Sequence, residues 1–123
     1  MKGTLTGPLP TPPSLTDQVS PDHLKTRLNW GEPALTIVDV RDRAAYNQAR
    51  ITGAVTMPLA TLPDAALAAL ERDRDIFLYG GSDEETAAGA HYLREAGFVR
   101  VAELQGGLAL WQQAGGAIEG ATV

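Results

Sequence analysis

The sequence predicts an α/β fold with a mostly parallel central sheet and helices on both of its faces. A nearly continuous β-branched run, Ala34-Leu35-Thr36-Ile37-Val38-Asp39-Val40, is followed by two shorter apolar runs, Phe77-Leu78-Tyr79 and Val101-Ala102-Glu103-Leu104. Such runs lack polar alternation, which marks strands covered on both faces. Helical patterns of about 10 residues separate them, and that alternation implies βα units. With 123 residues, 44 % hydrophobic and 20 % charged, the chain suits one domain with its own core.

Residues 3–16 read GTLTGPLPTPPSLT, without a charge and with four of the eight prolines. Proline neither pairs within a sheet nor continues a helix, so 1–16 reads as a flexible arm and 17–123 as the domain. Ser20-Pro21 is a helix start, with Ser20 as N-cap and Pro21 at the first helical position. Val19 and Leu24 have the spacing of a hydrophobic staple. This helix is expected to reach Asn29, with Leu24 and Leu28 buried, and Glu32-Pro33 ends the connection to the first buried strand. A second helical pattern covers 62–70, with Leu67 and Leu70 as its apolar positions. A third covers 84–96, placing Ala87, Gly89, Ala90, Leu93 and Ala96 on one face and ending at Gly97. The last covers 108–114 and is closed by Gly115-Gly116.

Composition excludes several functions. The chain has no cysteine, hence no thiolate nucleophile, persulfide carrier or Cys-ligated metal. No apolar run approaches the ~20 residues that span a bilayer. The first 20 residues lack the apolar core of a secretory signal, so a cytoplasmic location is expected. A net charge of −5 argues against a nucleic-acid surface, which needs clustered Lys and Arg. No phosphate-binding loop, dinucleotide glycine pattern or zinc-spaced histidine pair occurs, and neither cofactor nor metal is expected.

Two segments carry more than secondary structure. One runs Asp39-Val40-Arg41-Asp42, then Tyr46, then Arg50-Ile51-Thr52-Gly53-Ala54 to Pro58. The other runs Phe77-Leu78-Tyr79, a seven-residue loop, a helix to Gly97-Phe98, then Leu104-Gln105-Gly106-Gly107 and Trp111. Asp39 ends a buried strand, where a carboxylate needs donors to offset desolvation, and Arg41 is one candidate. Gly53 fits a turn with positive φ, as does Gly106-Gly107 before the last helix. Trp111 reads as that helix's core anchor.

Together these segments resemble the rhodanese-like domain family, in order and spacing, from about Val19 to Gly116. The chain has Ala49-Arg50 where the family usually has Gly-His. The resemblance implies a single-domain rhodanese-like fold and places the active loop at Gly80-Gly81-Ser82-Asp83-Glu84-Glu85-Thr86. In active members the strand is followed at once by a cysteine, and the loop wraps backbone N–H groups around its sulfur. Counting from Tyr79, that position is Gly80. The loop keeps the length of the sulfurtransferase branch and lacks its nucleophile, without which the covalent path is gone.

Asp83, Glu84 and Glu85 also oppose an anion. One like charge ~5 Å away, at an effective dielectric of ~20, costs roughly 3 kcal/mol before screening. Ser82-x-x-Glu85 reads in addition as a capping box, with acids complementing the helix dipole. Ser82 lacks a nearby base, since His91 is nine residues on and His23 lies in the first helix. Consecutive acids on a helix diverge by about 100° each and cannot close on one metal ion. The expectation is therefore a catalytically inactive rhodanese-like domain that binds a protein partner with a basic segment. The alternative is a sulfurtransferase by family, of thiosulfate or persulfide type, with activity lost or replaced at Gly80. A third possibility is a structural domain tethered by the proline-rich arm.

Overall fold

The computed structural model describes residues 18–31 and 34–120. The expected arm, Asp17 and Glu32-Pro33 lie outside the described residues. Along the chain the elements are β1 (Gln18–Val19), α1 (Pro21–Trp30), β2 (Leu35–Asp39), α2 (Arg43–Gln48), β3 (Arg50–Ile51), β4 (Val55–Thr56), a 3-10 turn (Leu59–Thr61), α3 (Asp64–Ala69), β5 (Asp75–Tyr79), α4 (Asp83–Glu95), β6 (Val101–Leu104), α5 (Gly107–Gln113) and β7 (Ile118–Glu119).

Five of the strands form one parallel sheet in the order β1-β6-β5-β2-β4. Successive strand residues point to opposite faces, and the core divides accordingly. Ile37, Phe77 and Tyr79 pack with Leu24 and Trp111 on one face. Val38, Ile76 and Leu78 pack with Ala90, Leu93 and Phe98 on the other. All five residues of β5 are buried, which accounts for its lack of polar alternation. The predicted α/β class and the parallel sheet with helices on both faces are thus observed.

At the start of α1, Ser20 Oγ accepts from the His23 N–H at 3.3 Å, and Val19 and Leu24 are buried. Leu28 departs from expectation and is 43 % exposed. Its place toward the interior is taken by Arg27, whose guanidinium meets Asp75 at 2.8 Å. Asp75 is also paired with Arg100. A buried carboxylate at the head of β5 thus draws a cation inward where apolar periodicity expects leucine.

Of the helix expected over 62–70 only the shorter α3 forms, and the 3-10 turn lies just before that span. Ala66 is buried there while Leu67 is 40 % exposed, because a helix of six residues presents little more than one side to the core. In α4, Ala87 is exposed and Thr86 is buried in its stead. The Thr86 hydroxyl is drawn into the loop described below, and this sets the rotation of the first turn. Sequence patterning also missed α2 and the antiparallel pair β3–β7. That pair is held by Arg50 to Glu119 at 3.2 Å and by the Gly53 N–H to the same carboxylate at 3.2 Å.

Candidate functional site

The segment from Gly80 to Thr86 leaves the C-terminal end of β5 and enters α4, at the rim where open parallel sheets place their ligands. Ser82 caps α4, its Oγ accepting from the Glu85 N–H at 3.1 Å. The reciprocal bond of a capping box is displaced by one residue. Glu85 Oε1 accepts from the Gly81 N–H at 2.6 Å rather than from Ser82. Gly80 has no side chain to hold the Glu85 stem away. A Cβ built there would lie 2.8 Å from Glu85 Oε1 and 2.9 Å from its Cγ.

The Gly80 amide is met in the same way, by a side chain of the loop itself. The Gly80 N–H donates to Thr86 Oγ1 at 2.8 Å, and that hydroxyl donates to the Ser82 carbonyl at 3.0 Å. Asp83 Oδ1 accepts from the Gly106 N–H at 3.0 Å. The turn before α5 therefore forms a second wall against the loop. Gly106 has φ +79°, and a Cβ on Gly107 would lie 3.0 Å from the Gly80 carbonyl oxygen. Glycine is required there for conformation and for close approach. Trp111 fixes α5 behind this wall, buried and donating its Nε1–H to the Ala117 carbonyl at 2.8 Å.

Beneath the loop lies a buried polar cluster. The Asp39 carboxylate accepts from the Arg41 backbone N–H at 2.9 Å and from Arg41 Nη2 at 2.7 Å. Arg41 Nη2 also donates to the Ala49 carbonyl at 2.6 Å. Its guanidinium lies 5.5 Å from the Tyr79 ring centroid. The hydrogen bond to Asp39 is the chief reason why the Arg41 pKa is raised. Burial, reinforced by Asp39, raises the Tyr79 hydroxyl well above its ordinary value of 10.0. That hydroxyl accepts from the Ile51 N–H at 3.1 Å, so it ties β5 to β3. Neither the Tyr79 hydroxyl nor the Thr86 bond has a signal in the sequence, because both depend on the tertiary approach of segments.

Of the residues singled out in the sequence, Gly80 to Thr86, Gly106 and Gly107 come together at this rim, with Asp39 and Arg41 below them. Gly53 lies apart, in the turn after β3 with φ +86°. The histidines are elsewhere: His91 on the exposed side of α4, 6.1 Å from the Tyr92 ring, and His23 on α1, 5.9 Å from the Phe77 ring. Among the described residues no group of three or more His, Cys, Asp and Glu could hold a metal ion. The carboxylates of Asp83 and Glu85 turn to different amides. Chemically, the loop presents the Ser82 and Thr86 hydroxyls and the Asp83 and Glu85 carboxylates engaged within the chain, an exposed Glu84, and no thiol. None of its helical neighbours is long and apolar enough to cross a membrane, nor is any other described helix.

The profile of the Rhodanese-like domain family matches residues 20–114, and the chain belongs to that family. The solution structure of the rhodanese-like domain from an Anabaena sp. protein is 52 % identical, with a TM-score of 0.81, covering 85 % of this chain and 79 % of that one. A curated relative named sulfurtransferase, from Allochromatium vinosum, is 29 % identical over 101 residues, covering 82 % of this chain and 92 % of its own. The thiosulfate sulfurtransferase GlpE of Pseudomonas fluorescens is 31 % identical over 96 residues, covering 77 % and 84 %. Some matched relatives are longer proteins, of which this chain spans a quarter or less.

Proposed function

We propose that this chain is a catalytically silent rhodanese-like domain that works as a protein-binding or regulatory module, located in the cytoplasm. One observation carries the reading. Gly80 stands where the family resemblance puts the nucleophilic cysteine, and the Glu85 carboxylate fills the space its side chain would need. The chain holds no other cysteine to take over. A glycine cannot carry a persulfide, so the sulfurtransferase chemistry of the named relatives has no covalent carrier here.

The decisive assay supplies thiosulfate and cyanide to the pure chain. No thiocyanate above the uncatalysed background is expected. Turnover by contaminant-free protein would return the chain to the sulfurtransferases.

The binding surface on this reading is the rim around the loop. Glu84 is exposed and points its charge outward, whereas Asp83 and Glu85 are committed to amides. A basic partner segment suits it. Capture of bound protein by the Glu84→Lys chain is expected to fall well below that by the unaltered chain. Equal capture would put the interface elsewhere.

A further inference from the structure

Segment 116–120 lies along the outside of the molecule, with Ala117, Ile118, Glu119 and Gly120 all exposed. Its contacts nevertheless reach two buried residues, Trp111 and Ile51. The Ala117 carbonyl is the joint. It accepts from the Trp111 Nε1–H at 2.8 Å and from the Thr52 N–H at 3.1 Å. Ile118 and Glu119, as β7, pair with Ile51 and Arg50 of β3, and among the described residues β3 joins no other ladder. Close packing holds the segment at both ends. A Cβ on Gly116 would run into the Trp111 indole, and one on Gly120 into the Gln48 carbonyl oxygen.

Two routes lead from this segment to the loop rim. Trp111 anchors α5, and the turn ahead of α5 carries Gly106, whose N–H donates to Asp83 in the wall of the loop. The floor is reached through β3 and the residue before it. The Ile51 N–H donates to the Tyr79 hydroxyl, and the Ala49 carbonyl accepts from Arg41. Tyr79 directly precedes Gly80. Wall and floor thus share one external fastening. Its outermost bond is the Glu119 carboxylate, which accepts from Arg50 Nε and from the Gly53 N–H at 3.2 Å each. A short exposed strand held by solvent-facing hydrogen bonds belongs to the part of a protein that opens at least cost.

We propose that segment 116–120 is a latch, and that its release loosens the wall and the floor of the rim together. Competition by another cation for the Glu119 carboxylate is the event that frees it. With the latch open, Trp111 loses both cover and its hydrogen-bond acceptor, so α5 is no longer held against the loop. That the latch regulates binding rests on the role proposed above for the rim; the mechanical coupling does not.

Amide hydrogen exchange followed by NMR tests the coupling on the full chain, because amides freed in one opening share its free energy. The Thr52 N–H reports the latch and the Gly106 N–H reports the wall. The Val99 N–H, bonded to the Arg72 carbonyl at the other end of the sheet, is the local control. In the unaltered chain Gly106 is expected to exchange faster than the buried Ile76, by an opening smaller than global unfolding. In Glu119→Ala, Thr52 and Gly106 are expected to speed up by a common factor of about fivefold, the size expected on losing an exposed ion pair with its hydrogen bonds. Val99 is expected to stay within about twofold of its original rate. Gly120→Ala pushes the segment off without touching its charge, and is expected to give the same pattern. Unaltered exchange at Gly106 in both variants, whatever Thr52 does, would overturn the latch. So would a Gly106 amide no faster than Ile76 in the unaltered chain, since the wall would then have no opening of its own. No partner enters these measurements, so the capture experiment with Glu84→Lys tests the binding role separately.

Discussion

At Gly80 the missing side chain and the neighbouring carboxylate act together, because each occupies what the other would need. Restoring a thiol alone therefore does not restore a sulfur site. In Gly80→Cys the new side chain would meet Glu85 within 3 Å, and a carboxylate so placed disfavours a thiolate. Its thiol pKa is expected above the ordinary value of about 8.5, read from the pH dependence of alkylation. In Gly80→Cys with Glu85→Ala, the Gly81 N–H is freed to face the sulfur, and a pKa lower by about one unit or more is expected. An unaltered profile in the double variant would remove Glu85 from the argument. Tyr79 gives a second residue-scale test. Its folded pKa is raised, so the unfolded chain releases the proton first and stability falls as pH climbs past about 10. The fall attributable to Tyr79 is about 1.4 kcal/mol per pH unit. Tyr79→Phe is expected to lose about 1–3 kcal/mol at neutral pH, by orphaning the buried Ile51 N–H. It is then expected to show a flatter decline above pH 10 in urea unfolding.

Between elements, charge does some of what apolar periodicity does elsewhere. Asp75 at the head of β5 holds Arg27 from α1 and Arg100 from the connection into β6. Asp75→Asn would remove the carboxylate that the buried Arg27 meets at 2.8 Å, and a loss of about 3–5 kcal/mol is expected in denaturant unfolding. A loss under about 1 kcal/mol would mean that water or other groups compensate. The same contact explains why the face of α1 was only half legible. Leu24 follows the helical period inward, and Leu28 yields to an arginine whose partner lies 48 residues away in sequence. The buried strands β2, β5 and β6 were legible because each is a run of several apolar residues. β1, β3, β4 and β7 have two residues each, too few to show any period, and long-range pairing alone creates them. Thr86 and Ala87 exchange places for a similar reason, since the Gly80 amide recruits the Thr86 hydroxyl.

For the molecule as a whole, order and spacing of motifs from Val19 to Gly116 were enough to read the family, because glycine turns and buried strands are local demands of the backbone. The candidate loop was legible in its position and in its lack of a nucleophile. Its internal closure was not, since which oxygen reaches which amide depends on how α4 and α5 approach each other. Charge still permits a whole-molecule expectation. If a basic segment docks at the rim, its affinity should weaken as salt rises toward ~0.15 M, where the screening length is about 8 Å. Binding that is indifferent to salt would point to an apolar contact instead.

The bond from Asp83 to the Gly106 amide fastens the first turn of α4 to the turn ahead of α5. On the proposed reading, a visitor at this edge would meet two turns already fastened to each other. Recognition of that kind sacrifices little freedom in the host, so encounter can be quick and its thermodynamic signature governed by the visitor's own stiffening.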